Sequence, residues 1–148
     1  MSTTTTDELK ELIRGTLVEP PGQLSKELIK LCEGLITIEP DSKNVRVISE
    51  KVTEKEKIAL FCLGRWILSY LLDSPSLSEV DCETLAKQLA IDAKAVSAYA
   101  SLLIKKDRLL SPNARGTYQA LLARIPDFLK RLQKKAGHTN SVDQGDIK

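Results

Sequence analysis

The chain has little of what enzymes and metalloproteins depend on. Among its 148 residues there is a single histidine, His138, in a polar C-terminal stretch, and there are three cysteines, Cys32, Cys62 and Cys82, with no Cys-x-x-Cys pair. Metal sites need soft or imidazole ligands at short, regular spacing, so neither zinc nor another metal is expected. The odd cysteine count argues against a disulfide framework, and each thiol sits among apolar neighbours, as buried reduced cysteines do. There is no Gly-rich phosphate loop and no nucleophile set beside a base, so the chain is expected not to be an enzyme and to need no cofactor. The most apolar run, from Ile58 to Leu72, is too short to span a bilayer and carries Arg65 at its middle. The start, MSTTTTDELK, lacks the basic residues and apolar stretch of a signal peptide, so a cytoplasmic, reducing location is expected, with no membrane partner.

What is present suits a small helical protein. An apolar fraction of 42% is enough to fill a core without metal or disulfide support. The net charge of +2 is unevenly placed: residues 1–80 hold 10 Lys/Arg against 13 Asp/Glu, and residues 81–148 hold 12 against 7. The C-terminal half is therefore the basic one, as in a protein that meets a polyanion, although a solvated surface accounts for that excess equally well.

Four regions are expected. Residues 1–6, a Ser/Thr tract, have nothing to bury and are read as disordered. Over 7–52, Leu9, Leu12, Ile13 and Leu17 mark one face of a short helix that Pro20-Pro21-Gly22 stops, and a second helix from about Gln23 presents Leu24, Leu28, Ile29, Leu31 and Cys32. Gly34 stands where a left-handed cap is usually needed. The β-branched runs LITIE and NVRVI then flank Pro40-Asp41-Ser42-Lys43, the turn chemistry of a hairpin. Over 53–135, Thr53 and Glu56 have capping-box spacing and open a central helix to about residue 73, apolar on nearly all sides. On that helix Trp66 and Tyr70 are expected in the core, and Arg65 either emerges at a gap or pairs with a carboxylate. The LSEV stretch is read as an edge strand. A final helix, marked by Tyr118, Leu121, Leu122, Ile125, Leu129 and Leu132 and bent at Pro126, closes the region. Residues 136–148 are polar and read as a disordered tail. The order helix, helix, hairpin over 7–48 faintly echoes that of 81–118.

The segment DCETLAKQLAIDAKAVSAYASLLIKKDRLL, 81–110, is the most informative. Asp81 is placed to cap a first helix with Leu85, Ala86 and Leu89 on one face; Ile91 fills a buried turn position; Asp92 caps a second helix whose face is marked by Val96, Tyr99, Leu102 and Leu103. Ala86 is the small residue that lets the second helix pack closely. Ala90 occupies the turn position where glycine is common, and a Cβ makes the left-handed conformation costly there.

With the long helix before it and a strand-like Arg108-Leu109-Leu110-Ser111 after it, the region 53–118 resembles the winged-helix branch of the helix-turn-helix superfamily. The fold class expected is mainly α with small β-hairpins. The resemblance implies DNA binding, often as a dimer, with the second helix (93–106) in the major groove and Asn113 through Gly116 as a wing near phosphates. Candidate nucleic-acid contacts are Lys94, Ser97, Ser101, Lys105, Lys106, Asn113 and Arg115. The outward face of the second helix, Ala93, Lys94, Ser97, Ala98 and Ser101, holds no Arg, Asn or Gln to read base edges, so phosphate contact is the stronger expectation. The partner is therefore read as double-stranded DNA for a transcriptional regulator, or as another protein received by that smooth face. A homodimer through the terminal helices is compatible with either reading.

Overall fold

The computed structural model describes residues 6–16, 24–113 and 115–136, with side chains through 13 in the first segment and 135 in the last. Of the two terminal stretches read as disordered, Thr6 and Ala136 are helical, and residues 1–5 and 137–148, like the Pro20-Pro21-Gly22 stop and Leu17, lie outside the described residues. The structure is mainly helical, with short antiparallel strands.

Helix α1 runs Thr6–Thr16 and α2 Lys26–Leu31. Ser25 sets the start of α2, two or three residues later than expected, because its hydroxyl accepts from Leu28 N at 3.1 Å. Gly34 takes φ +81°, which turns the chain out of α2 into the hairpin. Strands β1 (Ile36–Glu39) and β2 (Asn44–Val47) pair antiparallel, Ile36 opposite Val47.

Helix α3 spans Glu54–Leu71 and opens with the expected capping box: Thr53 Oγ1 accepts from Glu56 N, and Glu56 Oε1 accepts from Thr53 N at 2.8 Å. It is enclosed on all sides only from Ile58 to Gly64. Its last turns are open: Trp66 and Ile67 are half-buried, Leu71 is exposed, and Tyr70 is 68% exposed. Tyr70 therefore lies outside the core, stacked on Trp66 with ring centroids 6.4 Å apart. Arg65 pairs with a backbone carbonyl, its Nε donating to Leu77 O at 2.8 Å while its guanidinium lies over the Phe61 ring. Burial pulls its pKa down, against the charges of Cys62 and Asp81.

Of the LSEV stretch, Leu77 and Ser78 belong to a 3-10 turn (Pro75–Ser78), and Val80–Asp81 form strand β3 at the edge of a sheet. Helix α4 (Cys82–Leu89) and helix α5 (Ala93–Lys105) follow, then β4 (Leu110–Pro112) and β5 (Thr117–Ala120). The strand order is β3-β5-β4, all antiparallel, with Val80 opposite Tyr118 and Leu110 opposite Ala120.

The last helix departs from the sequence expectation. Tyr118 and Ala120 belong to β5, whose partners supply the ladder hydrogen bonds a helix would otherwise provide, and α6 begins only at Ile125 and ends at Ala136. Pro126 does not bend α6. It sits in the first turn, where its missing N–H is no loss. Leu129 and Leu132 face inward with Ile125 and Phe128.

One buried cluster joins these parts, running from Leu28, Leu35 and Val45 through α3 to Val96, Leu103, Leu110 and α6. Gln133, itself buried, donates from Nε2 to Leu31 O and Glu33 O and so satisfies the end of α2 from α6. The helix, helix, hairpin order of 6–47 does match that of 82–120. The packing differs: every described side chain of α1 is exposed, whereas α4 and α5 are anchored in the core. Cys32 and Cys62 are buried and Cys82 is half-buried, all as free thiols. Among the described residues no helix is long and apolar enough to cross a membrane.

Candidate nucleic-acid interface

The α4–α5 unit is set by its caps and its turn. Asp81 Oδ1 accepts from Thr84 N at 2.7 Å, and the amide and hydroxyl of Thr84 hold the Asp81 carboxyl below its usual range. Asp92 Oδ2 accepts from Lys94 N at 3.0 Å and caps α5. Between them Ala90 adopts φ 56°, ψ 47°, the left-handed conformation expected at this turn, and Ile91 N donates to Ala86 O at 3.1 Å. Ile91 is buried and Ala86 half-buried, so the small side chain lies where the two helices approach. Cys82 Sγ donates to Ala93 O, a second tie between the two helix starts.

Two polar contacts hold α5 against α3. Tyr99 OH donates to Glu54 Oε1 at 3.3 Å, and at the other end Lys55 Nζ lies 2.9 Å from Asp107 Oδ2, an ion pair by distance without hydrogen-bond alignment. Val96, Ala100 and Leu103 are fully buried, and Tyr99 half-buried beside them. That spacing, 96, 99, 100 and 103, is one helical face, and Leu102 falls off it. Leu102 is 45% exposed, not an inner anchor.

The opposite face carries Lys94, Ser97, Ala98, Ser101 and Lys105, all exposed and at intervals of three or four residues. Lys94 and Lys105 lie about 16 Å apart along the axis at 1.5 Å per residue, so cations mark both ends of a small, neutral strip. Lys106 and Arg108 are exposed beyond it, where cations also complement the helix C-terminus.

The turn between β4 and β5 projects Arg115 into solvent. Asn113 is used differently. Its N–H donates to Thr117 O at 2.8 Å, its O accepts from Gly116 N, and its Nδ2 donates to Thr117 Oγ1 at 3.2 Å, which in turn donates to Glu79 Oε1. Asn113 is half-buried and shapes the turn; Gly116, at φ +78°, closes it. Ala114 lies outside the described residues.

Sequence reasoning missed a polar cleft of about 300 Å³ formed where β2 meets α3 and α4, lined by Asn44, Arg46, Lys57 and Gln88. Nothing in the spacing of these residues brings them together; only the packing of the hairpin onto α3 does. Among the described residues no group of three or more His, Cys, Asp or Glu side chains could hold a metal ion.

No protein-family profile, curated protein or solved structure matches this chain.

Proposed function

We propose that residues 53–120 form a winged helix that binds double-stranded DNA, as a transcriptional regulator does, with α5 entering the major groove and the β4–β5 turn lying over phosphates. The order helix, strand, helix, helix, strand, turn, strand with sheet order β3-β5-β4 supports the winged-helix part of this reading. The observation that carries the DNA part is the exposed strip of α5, bounded by Lys94 and Lys105, together with Arg115 on the projecting turn. Small side chains let a helix come close to the groove floor, while the cations neutralise backbone charge. Lys94, Ser97 and Arg115 are the residues assigned to phosphate contact; Ser101, Lys105 and Lys106 lie further along and serve non-specific attraction. Asn113 acts by holding the wing in shape.

Direct binding of the purified full chain to a labelled duplex, followed by anisotropy in low salt, tests this reading. The expected result is saturable binding that weakens steeply and linearly on a log–log salt plot. Absence of binding at low salt removes the reading.

One observation favours a second reading, in which the same face receives a protein. Leu102 is exposed beside Ala98 and Ser101, and an apolar side chain flanked by small ones suits a packed helix better than a phosphate backbone. Under that reading Ala98→Arg abolishes co-purification of a stoichiometric protein partner and leaves the fold intact; recovery of DNA alone counts against it.

A further inference from the structure

The cleft where β2 meets α3 and α4 gathers two cations and two side-chain amides. Arg46 comes from the strand, Lys57 from the start of α3 and Gln88 from the last turn of α4. Asn44, two residues before Arg46, joins from the same face of the strand. No carboxylate is among the lining residues. Val45 and Leu89 supply an apolar part of the wall, so the charges stand beside a surface that screens them less than water does.

These charges are poorly balanced within the chain. Lys55, two residues before Lys57, has Asp107 at 2.9 Å, and Lys135 has Glu56 at 2.7 Å. Lys57 is half-buried as Lys55 is, yet among the described residues no carboxylate lies within 4.0 Å of its ammonium. Glu54, one turn back on α3, is engaged by Tyr99 OH at 3.3 Å. Arg46 meets Glu39 only at 3.9 Å, with its side chain 63% exposed, which leaves most of its N–H groups open. A half-buried ammonium that shares a cleft with a guanidinium is repelled by it, and an anion between the two turns that repulsion into attraction.

We propose that this cleft binds a phosphate-class oxyanion, carried by a small phosphate ester or by a nucleic-acid backbone. The guanidinium can give two parallel hydrogen bonds, and the ammonium acts as a point charge. The amides of Asn44 and Gln88 add donors from the strand and from α4. Donors that converge from three elements suit a tetrahedral anion, with oxygens on several sides, better than a planar carboxylate. The volume of about 300 Å³ is at the lower end of the roughly 300–1,000 Å³ of ligand pockets, and it leaves room for the group that carries the phosphate. Gln88 lies two residues before the Ala90 turn, so the cleft adjoins the α4–α5 unit without using the outward face of α5. The proposal does not rest on the DNA reading, because its first probe is inorganic phosphate.

Titration of the full chain with inorganic phosphate in low chloride tests it, followed by NMR of the Arg46 Nε–H and the Asn44 and Gln88 side-chain amides. Saturable shifts centred on the cleft are expected, with Lys57→Gln and Arg46→Gln each weakening binding at least about fivefold. Gln88→Glu changes an exposed residue and should abolish binding, because its carboxylate takes the place of the anion. Lys30→Gln removes the same charge from α2, outside the cleft, and should leave binding unchanged. Thermal unfolding in chloride alone checks that each variant folds. Duplex DNA forms the second arm. Phosphate displaced by duplex, with Lys57→Gln weakening both, identifies a nucleic-acid backbone as the source; phosphate binding indifferent to duplex identifies a small phosphate ester, and either supports the site. Absence of saturable shifts overturns the proposal, and so does equal affinity for acetate. Equal weakening by Lys30→Gln also overturns it, since that is the mark of diffuse charge attraction. If duplex binds while phosphate leaves the cleft unmoved, this proposal falls and the DNA reading stands.

Discussion

Gly64 of α3 packs directly against Val45 of β2, so closely that a Cβ at position 64 would run into the Val45 side chain. This contact fixes how the N-terminal hairpin lies on the central helix. Both residues are buried, so neither has free space into which to retreat.

Gly64→Ala should therefore destabilise the fold by about 1–3 kcal/mol, the usual cost of overpacking, despite the better helix propensity of alanine. Urea unfolding monitored by circular dichroism reads the loss. Adding Val45→Ala should recover part of it, and a double-mutant cycle that is purely additive would show that the two residues do not press on one another.

Ala90 gives the opposite expectation. It holds a left-handed conformation that costs a residue with a Cβ about 1 kcal/mol or more, so Ala90→Gly should raise stability by up to about 1 kcal/mol. A lower unfolding midpoint in the glycine variant would contradict the turn geometry.

Two thiols predict alkaline behaviour. Burial pushes Cys32 and Cys62 up to about 12, with the Arg65 charge opposing at Cys62. Their folded pKa values are raised, so the unfolded chain releases these protons first. The stability they confer is complete below about pH 8.5, the ordinary thiol value, and is lost as pH rises towards 12. Cys62→Ala lowers stability at neutral pH through its cavity, yet its stability should fall less steeply between pH 9 and 11 than that of the wild type. Equal slopes would argue against a buried neutral thiol.

Glu56 predicts acid behaviour. Burial pushes its carboxyl up, but the Lys135 ammonium at 2.7 Å and the Thr53 amide outweigh burial and leave the pKa lowered. With the folded value below the unfolded one, the contribution is present above about pH 4.5 and lost as pH falls through the folded value. Glu56→Gln should remove part of that acid sensitivity, and Lys135→Met should remove an overlapping part. A Glu56→Gln variant with an unchanged acid midpoint would show that this tie between α3 and α6 contributes nothing.

For the proposed DNA contact, neutralising Lys94 and Arg115 together should weaken duplex binding uniformly across sequences and reduce the salt slope by roughly 2, about 0.9 for each phosphate that is no longer neutralised. Replacing Asn113 by Ala should act through stability of the turn, with the salt slope unchanged. If Lys94→Ala/Arg115→Ala binds as wild type does, the face has been assigned wrongly.

Much of the fold could be read from short-range chemistry. Caps at Thr53, Asp81 and Asp92, the strained turn at Ala90, the buried Ile91 and the turn of the β1–β2 hairpin are decided by near neighbours, where the residue types act locally, whereas the cap at Ser25 was not read. The errors came where a periodic pattern had two solutions. Tyr118 and Leu122 fit a helical spacing, but Tyr118 was drawn into β5 because Pro112 across the turn and Val80, far away in sequence, supply strand partners on its two sides. Leu102 matched the apolar pattern of α5 while sitting on its open side. Tyr70 lay on the most apolar helix, yet no element among the described residues covers it.

The candidate site divides in the same way. The sequence alone determined which residues form the outward strip of α5, because 3.6-residue periodicity follows from the apolar anchors Val96, Tyr99 and Leu103. Tertiary structure alone decided that Asn113 serves the turn, that Arg46, Lys57 and Gln88 share a cleft, and that Gly64 must remain a glycine. Those relationships depend on which surfaces meet after packing, and packing is set by the shapes of residues separated by long stretches of chain.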